Sequence, residues 1–423
     1  MNRLTSGCMA ILLILVVQVA YAQPYADMIR ENHDRAASNY HYYEFSDSEL
    51  TEAPKGYRPF YISHYSRHGS RYHTGARFFR PMDMLEFCDS LGLLSDAGKG
   101  FYADAMAVME EHQGMYGMLS SRGAEELRGV GERLYMRFPE LFSGKNGRTL
   151  VRNYSTTVQR SIFSMINMMT VLVEKSCGKM EFSYVTGDKY YEYLCHRMDN
   201  YLPMADFDNE VEDSLLPELD VDRLAGIFFN DPQAACALIN DPAKFFRGLY
   251  MIAAISPNTD CRPDMLSYFP NEELVKFWAM RNNYFYAGFG NSVQMHEEVE
   301  KVSKPLVADF IARADDALAG GSNVAGDFRF GHDTGLLPLV GHLGITGMSE
   351  RYDAFEAHKF WNSSVMIPMA SNLQMIFYRS RKCDDVLVKL LYNEKETMIP
   401  ALKPVTGPYY RWADLRRHMQ SLL

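Results

Sequence analysis

The sequence is poor in cysteine, in tryptophan and in excess positive charge, and each shortage excludes a class of protein. Its 423 residues include seven cysteines and three tryptophans, too few cysteines for a disulfide-scaffolded fold. Lys+Arg number 43 against 53 Asp+Glu, and a formal charge of −10 argues against a nucleic-acid binder. Net charge does not describe a single cleft, so it leaves room for a local cationic pocket. The 47% hydrophobic and 23% charged residues are those of an ordinary globular chain.

Long apolar runs are also scarce, and the one at the N-terminus predicts a secretory signal peptide over residues 1–22. A short basic start at Asn2-Arg3 precedes an apolar run at 11–17, and Ala20-Tyr21-Ala22 is an A-x-A cleavage site. The alternative is a membrane anchor, but the run is shorter than the ~20 residues that a span needs. We therefore expect a secreted or periplasmic protein, cleaved after Ala22, whose mature chain has no membrane span.

The six cysteines that cleavage would leave permit disulfides in an exported protein, although their pairing cannot be deduced from sequence. These residues are Cys88, Cys177, Cys195, Cys236, Cys261 and Cys383.

Apolar runs bounded by turn residues predict strands, and amphipathic stretches between them predict helices. The predicted strands are 59–65, 149–154, 327–330, 373–378 and 386–391. The predicted helices are 119–138 with Ser120 or Ser121 as N-cap, 157–174 with Ile162, Ile166, Met169 and Val173 on one side, and 299–318 ending at Gly320-Gly321. This alternation predicts an α/β fold. We expect a core of residues 23–184 and 319–423, with residues 185–318 forming a mainly helical inserted cap.

The most informative segment is Arg67-His68-Gly69-Ser70-Arg71, which directly follows the first predicted strand. Loops at the carboxyl edge of an α/β sheet gather ligand groups, and guanidinium forks there can hold a tetrahedral oxyanion. A neutral imidazole beside them can attack phosphorus to form a phosphohistidine. The arginine charges should lower the pKa of His68 and keep it neutral.

Two further segments point to the same chemistry. Gly331-His332-Asp333-Thr334 follows the third predicted strand and opens a helix, whose N-terminus favours anions. His332 could donate to a phosphate oxygen, and Asp333 could protonate a departing alkoxide, which predicts activity mainly at acidic pH. Arg160, in the first turn of the helix after the second strand, could supply another fork.

The pairing of these motifs resembles the histidine acid phosphatases, branch 2 of the histidine phosphatase superfamily. Residues 66–72, 367–373 and 391–395 are similar to segments of the multiple inositol polyphosphate phosphatases, so the resemblance extends over most of residues 57–395. It implies a Rossmann-like sheet core flanked by helices, with a helical cap over the cleft. The chain departs from the family at His73, where proline is usual, and at His332-Asp333-Thr334, where the inositol polyphosphate branch usually has His-Ala-Glu.

The resemblance also implies a role for each residue of the three segments. His68 would be the nucleophile and Asp333 the proton donor. Arg67, Arg71 and Arg160 would hold the phosphate, with His332 assisting them. No cofactor and no metal are expected: His64, His68 and His73 lie on a predicted strand and its loop, and the chain has no HExxH motif.

Weaker candidates are more simply explained as solvated charge or packing. They are Arg152 as a further phosphate ligand, Arg77, Lys189 and Arg197 as an outer polyanion pocket, and the aromatic run Tyr40-His41-Tyr42-Tyr43, which we expect to be packing.

These observations predict a secreted phosphomonoesterase whose partner is a small, polyanionic phosphomonoester. Inositol polyphosphate (phytate) is favoured as substrate on resemblance, with a broad acid phosphatase on sugar phosphates as the alternative. A non-catalytic phosphate-binding module is the alternative from another class. Phosphoglycerate-mutase-like enzymes share the RHG segment, but Ser70 and the signal peptide argue against them. The sequence predicts no oligomeric state.

Overall fold

A computed structural model of the chain describes residues 25–194 and 202–423. The predicted signal peptide and cleavage site, Cys195 and Arg197 lie outside the described residues. Among the described helices, none combines the length and the apolar character required to cross a bilayer.

The described residues form one mixed eight-stranded sheet. Its strands are β1 (Tyr57–Arg67), β2 (Leu150–Ser155), β3 (Glu181–Thr186), β4 (Val324–Gly331), β5 (Asn372–Ser380), β6 (Leu387–Tyr392), β7 (Lys395–Thr397) and β8 (Tyr409–Arg411). Their order is β3-β2-β4-β1-β5-β6-β7, and β8 pairs with β6. β3, β2, β4 and β1 run parallel, whereas β5 is antiparallel to β1. The prediction of an α/β fold is confirmed.

The register of the parallel strands brings the two sequence motifs together. Arg67, the last residue of β1, pairs with Gly331, the last residue of β4. The loop that begins at His68 and the helix that begins at Asp333 therefore leave the same edge of the sheet, side by side. β2 ends at Ser155 beside Phe330, so the segment leading to Arg160 leaves there too.

The helices cover both sheet faces and build a separate cluster. They are α1 (residues 25–31), α2 (Pro81–Ser90), α3 (Asp96–His112), α4 (Ser121–Arg137), α5 (Gln159–Ser176), α6 (Asp188–Leu194), α7 (Leu202–Asp213), α8 (Val221–Phe228), α9 (Pro232–Leu238), α10 (Pro242–Ile255), α11 (Asn271–Phe289), α12 (His296–Leu318), α13 (Asp333–Leu343), α14 (Ser363–Met366) and α15 (Trp412–Ser421).

Two cores lie against the two faces of the sheet, because its central strands are apolar on both sides. On one face α4 and α5 pack over Ile62, Val151 and Phe328. On the other face α12, α13 and α15 pack over Tyr65 and Phe377. Two layers of helices thus hold β1 and β4 rigidly, and with them the loops at their carboxyl ends.

A third core is helical and lies beside the sheet. Parts of α8, α10 and α11 pack together there through Phe228, Phe246 and Phe277, and the earlier helices α2 and α3 join them through Leu85 and Phe101. The packing clusters therefore cross both limits of the predicted insertion, since α12, within residues 185–318, packs against the sheet. The predicted division of the chain at these limits stays a prediction.

Three local expectations differ from the structure. Helix α5 buries Met165, Met168 and Leu172, whereas Ile166 and Val173 of the predicted face are 44% and 41% exposed. The edge strand β3 was not predicted. Helix α12 ends at Leu318 as expected, but its C-cap is Ala319 rather than the following glycines.

The buried His64 on β1 predicts a stability that falls in acid. Its two ring nitrogens have no hydrogen-bond partner among the described residues, and it packs against Phe328 with ring centroids 5.0 Å apart. Burial, with a contribution from Arg329, lowers the pKa of His64 to about 3. The unfolded chain, with an ordinary histidine pKa of about 6.5, therefore binds more protons between pH 6.5 and pH 3, and stability falls as pH falls through this window.

We expect His64→Leu to reduce this loss. Between pH 7 and pH 5 the wild-type free energy of unfolding should fall by about 2 kcal/mol more than that of the variant. Urea unfolding at both pH values measures it, and the same change at the partly exposed His33 is the control. An equal fall in wild type and His64→Leu would show that His64 does not titrate on unfolding.

Candidate active site

The loop after β1 is held against α4 by two glycines that leave no room for side chains. A Cβ added at Gly69 would lie 2.5 Å from the carbonyl oxygen of Gly123, and one added at Gly123 would lie 2.1 Å from that of Ser70. Gly69 is therefore required for close approach between loop and helix. Ser120 caps the helix by accepting a hydrogen bond from the Gly123 amide, as its sequence position predicted.

Glu126 of α4 fixes the same loop from the other side. One of its carboxylate oxygens accepts a 2.7 Å hydrogen bond from the Ser70 amide, and the other accepts from the Ser70 hydroxyl at 2.7 Å. It also accepts from the Tyr43 amide at 2.9 Å. Burial raises the pKa of Glu126, against the effect of these donors. Sequence analysis missed Glu126, and the one available signal was an acidic residue next to the apolar stripe of α4.

The environment of His68 selects the tautomer that a nucleophile needs. The side chain is 2% exposed, and its Nδ1 lies 2.8 Å from the carbonyl oxygen of Gly69. Because a carbonyl oxygen only accepts, Nδ1 carries the proton and Nε2 of the neutral ring keeps its lone pair. Burial lowers the pKa of His68 well below its usual range, and the charges of Arg160 and Arg67 lower it further. His68 is thus neutral even in mild acid.

Arg67 and Asp333 link the first motif to the second. Arg67 is fully buried and donates to the carbonyl oxygen of Ile367 at 2.5 Å, while its Nη2 lies 2.7 Å from Oδ2 of Asp333. That same oxygen accepts from the Asn39 side-chain amide at 3.2 Å. Asp333 is 8% exposed, in the first turn of α13, and its other oxygen accepts from the Thr334 amide. The two motifs, more than 260 residues apart in sequence, therefore meet through a direct ion pair.

Asp333 is ionised in this arrangement. Burial by itself would raise the pKa of its carboxyl, but the charges of Arg67 and Arg71 outweigh burial, and the net effect is a lowered pKa. The helix N-terminus acts in the same direction. For Asp333 to give up a proton, an anion has to offset the arginine charges first.

His332 stands beside His68 and contacts Arg160. The two imidazole rings have centroids 5.3 Å apart in an edge-to-face arrangement. Nη2 of Arg160 lies 3.3 Å from Nδ1 of His332, and since a guanidinium only donates, Nδ1 is the acceptor. Nε2 then carries the proton, 3.2 Å from the Thr156 hydroxyl. In this tautomer Nε2 is the nitrogen that can donate, so the predicted hydrogen bond from His332 to a phosphate oxygen would come from Nε2.

Arg71 and Arg281 flank one aromatic ring at the cleft. Their guanidinium carbons lie 5.2 Å and 5.1 Å from the centroid of the Tyr40 ring. Arg281 also donates to the side chain of Asn39, which itself donates to Asp333. Tyr40 is 4% exposed and belongs to the helical core, as the prediction of a packing residue expected, and its ring also contacts the two guanidinium groups. Asn39 and Arg281 were missed, because neither carries a motif and both reach the site only through the fold.

A cavity of about 520 Å³ opens from this ring. Its cationic lining residues are Arg77, Arg80, Lys244, Arg247 and Arg281, and its acidic one is Glu212. Arg247 pairs with Glu212, and Lys244 with Asp213. Among the described residues, Arg77 and Arg80 form no ion pair with a carboxylate. We call this cavity the outer pocket.

Several other sequence candidates lie elsewhere. Arg152 binds both carboxylate oxygens of Asp327, at 2.7 and 2.9 Å, so it is held in an ion pair on the sheet. Lys189 is exposed on α6 beside Tyr190. His73 donates through Nε2 to the Met251 carbonyl oxygen, 3.0 Å away, and stacks on Phe78. Since a carbonyl only accepts, this nitrogen of His73 is the protonated one.

Comparison with protein families tests the resemblance that the motifs suggested. Residues 264–393 match the sequence model of the histidine phosphatase superfamily (branch 2). The resemblance to the histidine phosphatases is confirmed. The matched segment contains His332 and Asp333, whereas the loop at His68 lies before it. No curated protein sequence matches the chain.

Solved structures of a multiple inositol polyphosphate phosphatase and of phytases share the fold. Bifidobacterium longum multiple inositol polyphosphate phosphatase in complex with phosphate has a TM-score of 0.78 and 21% identity, over 91% of this chain and 97% of that one. Its complex with inositol hexasulfate gives 0.75 and 21%, over 90% and 97%. The phytase from D. castellii gives 0.66 and 12%, over 92% and 85%. At these identities the structures show a shared fold. The family match supports the prediction of a phosphomonoester hydrolase.

Proposed function

We propose that this protein is an exported histidine acid phosphatase that hydrolyses phosphomonoesters through a phosphohistidine on His68. The observation that carries the proposal is the hydrogen bond from Nδ1 of His68 to the Gly69 carbonyl. It leaves a nucleophilic Nε2 within reach of the charges of Arg67, Arg71 and Arg160, with Asp333 bound to one of these arginines. A histidine that serves only for packing would need neither the arginine charges nor the Asp333 carboxyl group near it.

The two chemical steps follow from the positions of His68 and Asp333. In the first, Nε2 of His68 attacks phosphorus, the bond from phosphorus to the ester oxygen breaks, and the departing alkoxide takes the proton of the Asp333 carboxyl. In the second, the Asp333 carboxylate accepts a proton from water. The resulting hydroxide attacks phosphorus, the phosphorus–nitrogen bond breaks, and inorganic phosphate leaves.

The arginines stabilise the charge that both steps carry on phosphorus. Arg71 is 8% exposed and Arg67 is buried, so a phosphoryl group between them is held where water screens little. The bound phosphate also offsets the arginine charges that lower the pKa of Asp333. Its pKa then rises, and the carboxyl group becomes protonated when substrate is present. An acidic optimum follows, because the acid form of Asp333 is required while His68 stays neutral.

The outer pocket supports a polyanionic substrate. Arg77 follows the catalytic loop by a few residues and is exposed in the pocket, with its guanidinium carbon 5.2 Å from the Phe78 ring centroid. The pocket opens from the Tyr40 ring, which Arg71 flanks. A substrate with several phosphates can place one at His68 and another near Arg77. We infer an inositol polyphosphate such as phytate as the favoured substrate.

A substrate panel tests the function. We expect kcat/KM for inositol hexakisphosphate at acidic pH to exceed that for glucose 1-phosphate at least about tenfold. Arg77→Gln should lower kcat/KM about tenfold for the first substrate and little for the second, since only the first reaches the outer pocket.

Lys301→Gln is the control, because Lys301 is an exposed cation on α12 whose side chain is 75% exposed. Equal kcat/KM values on both substrates would favour a broad acid phosphatase instead. Tight binding of phosphate esters without turnover would favour a non-catalytic binding module.

A further inference from the structure

A second cationic cavity lies at the opposite edge of the sheet from His68. It measures about 660 Å³ and is lined by the start of β1 and the end of β5. Its charged lining residues are Arg58, Arg379, Arg381 and Lys382. Its other lining residues are Gly56, Pro59, Phe60 and Ser380. We call it the far pocket. Nine residues of β1 lie between Arg58 and His68, which places the two about 30 Å apart at the usual rise per residue.

The strand register sets like charges against each other in the far pocket. Arg58 on β1 is the direct antiparallel partner of Arg379 on β5. Side chains at paired positions point to the same face, and like charges there destabilise a sheet. The register then shifts between Pro59 and Tyr61, and Phe60 lies in this irregularity.

A fourth arginine, Arg148, adds to the charge beside the far pocket. The guanidinium carbons of Arg148 and Arg379 lie 4.8 Å and 4.9 Å from the Phe60 ring centroid. Arg148 is 8% exposed and donates to the carbonyl oxygens of Val324 and Ala317. In the part of the chain that the structure describes, it forms no ion pair with a carboxylate. Burial and the charge of Arg379 lower the pKa of Arg148 to about 10.

The positive charge that lines the far pocket is not offset by ion pairs with carboxylates among the described residues. Among the described residues, none of its four lining cations forms an ion pair with Asp or Glu. The same turn continues to Asp384 and Asp385, but Asp385 pairs with Arg411 at 2.8 Å. A chain with a formal charge of −10 thus concentrates unpaired positive charge in one concave place.

We propose that the far pocket binds a small, multiply charged oxyanion of the phosphate or sulfate type. Its volume is in the range of small-ligand sites. The paired guanidinium groups of Arg58 and Arg379 can hold an oxyanion bidentately, and Arg381 and Lys382 add charge. Binding relieves the like-charge pair. The site is independent of the proposed catalytic function.

Calorimetric titration with tripolyphosphate tests the site, in chains that all carry His68→Ala so that the probe is not hydrolysed. We expect the parent chain to bind it in the far pocket. Arg58→Gln with Arg379→Gln and Lys382→Gln should weaken this binding about tenfold or more. Arg30→Gln with Lys301→Gln and Arg417→Gln is the control, since it removes equal charge at exposed positions.

Two further arms separate the far pocket from the active site and from a lipid surface. Arg71→Gln with Arg160→Gln changes the active site and should leave far-pocket binding in place. A failure of the far-pocket proposal can therefore be distinguished from a failure of the catalytic proposal. Binding that only the active-site changes abolish would overturn the proposal. Co-sedimentation with phosphatidylglycerol vesicles in the absence of tripolyphosphate binding would also overturn it, because the ligand would then be a membrane headgroup rather than a free solute.

A thermal melt gives an independent readout. Without anion at low ionic strength, the far-pocket variant should be at least as stable as the parent, because the like-charge pair is gone. With tripolyphosphate, the parent should gain more in Tm than the variant. An equal gain in both would contradict the assignment.

Discussion

His68→Ala is expected to lower kcat for a chromogenic phosphomonoester at least about 10³-fold at acidic pH, because no other side chain at the site can take its place as the attacking atom. Both ring nitrogens of the neighbouring His332 already contact other side chains, Nδ1 that of Arg160 and Nε2 that of Thr156. The phosphate pocket of arginines stays intact in the variant, so KM should change far less than kcat.

The change is also expected to leave the fold in place. The side chain of His68 hydrogen-bonds to the neighbouring Gly69 carbonyl, while its backbone contacts to Gly331 and Ala370 do not depend on the side chain. Thermal melts of wild type and variant check this. His342→Ala, a partly buried histidine on α13 that contacts Ser303, is the matched control and should keep its activity.

Trapping separates a nucleophile from a merely structural histidine. Rapid quenching of wild type with labelled substrate should leave label that is stable in alkali and lost in acid, as a phosphohistidine is, and His68→Ala should leave none. Turnover by His68→Ala close to that of wild type would remove the assignment.

The sequence predicted the parts of this site that sit at strand ends. Strand β1 and the loop at His68 could be located because an apolar, β-branched run stops at a charged segment with glycine. Asp333 could be placed at a helix start for the same local reason. The ion pair between Arg67 and Asp333 was not predicted, since it depends on β1 and β4 being neighbours in the sheet.

Other features escaped because they depend on contacts between distant segments. Helix α5 is apolar on adjacent stripes, and only its packing against α4 and the sheet determines that Met165 and Leu172 are inside while Ile166 is not. Glu126 and Asn39 have ordinary surroundings in sequence. Their buried hydrogen bonds to Ser70 and Asp333 form only when the chain is folded.

Asp333→Asn is the second change with a large expected effect, and its size should depend on the leaving group. An alkyl phosphate such as glycerol 2-phosphate leaves as a strongly basic alkoxide and needs a proton, so its kcat should fall about 10²- to 10³-fold. p-Nitrophenolate is a weak base and needs little protonation, so p-nitrophenyl phosphate should lose less than about tenfold. Asp414→Asn, an exposed change on α15, should affect neither substrate.

The pH profile of activity is a second test of Asp333 as the proton donor. In wild type, activity on glycerol 2-phosphate should fall as pH rises, because Asp333 loses its proton. Lowering the pH through 6.5 should not reduce activity, because the pKa of His68 is lowered and its imidazole stays neutral there. Asp333→Asn should lose the basic limb of the profile. Equal slowing of both substrates, with the limb unchanged, would mean that Asp333 positions Arg67 through their 2.7 Å contact and that the proton comes from another group.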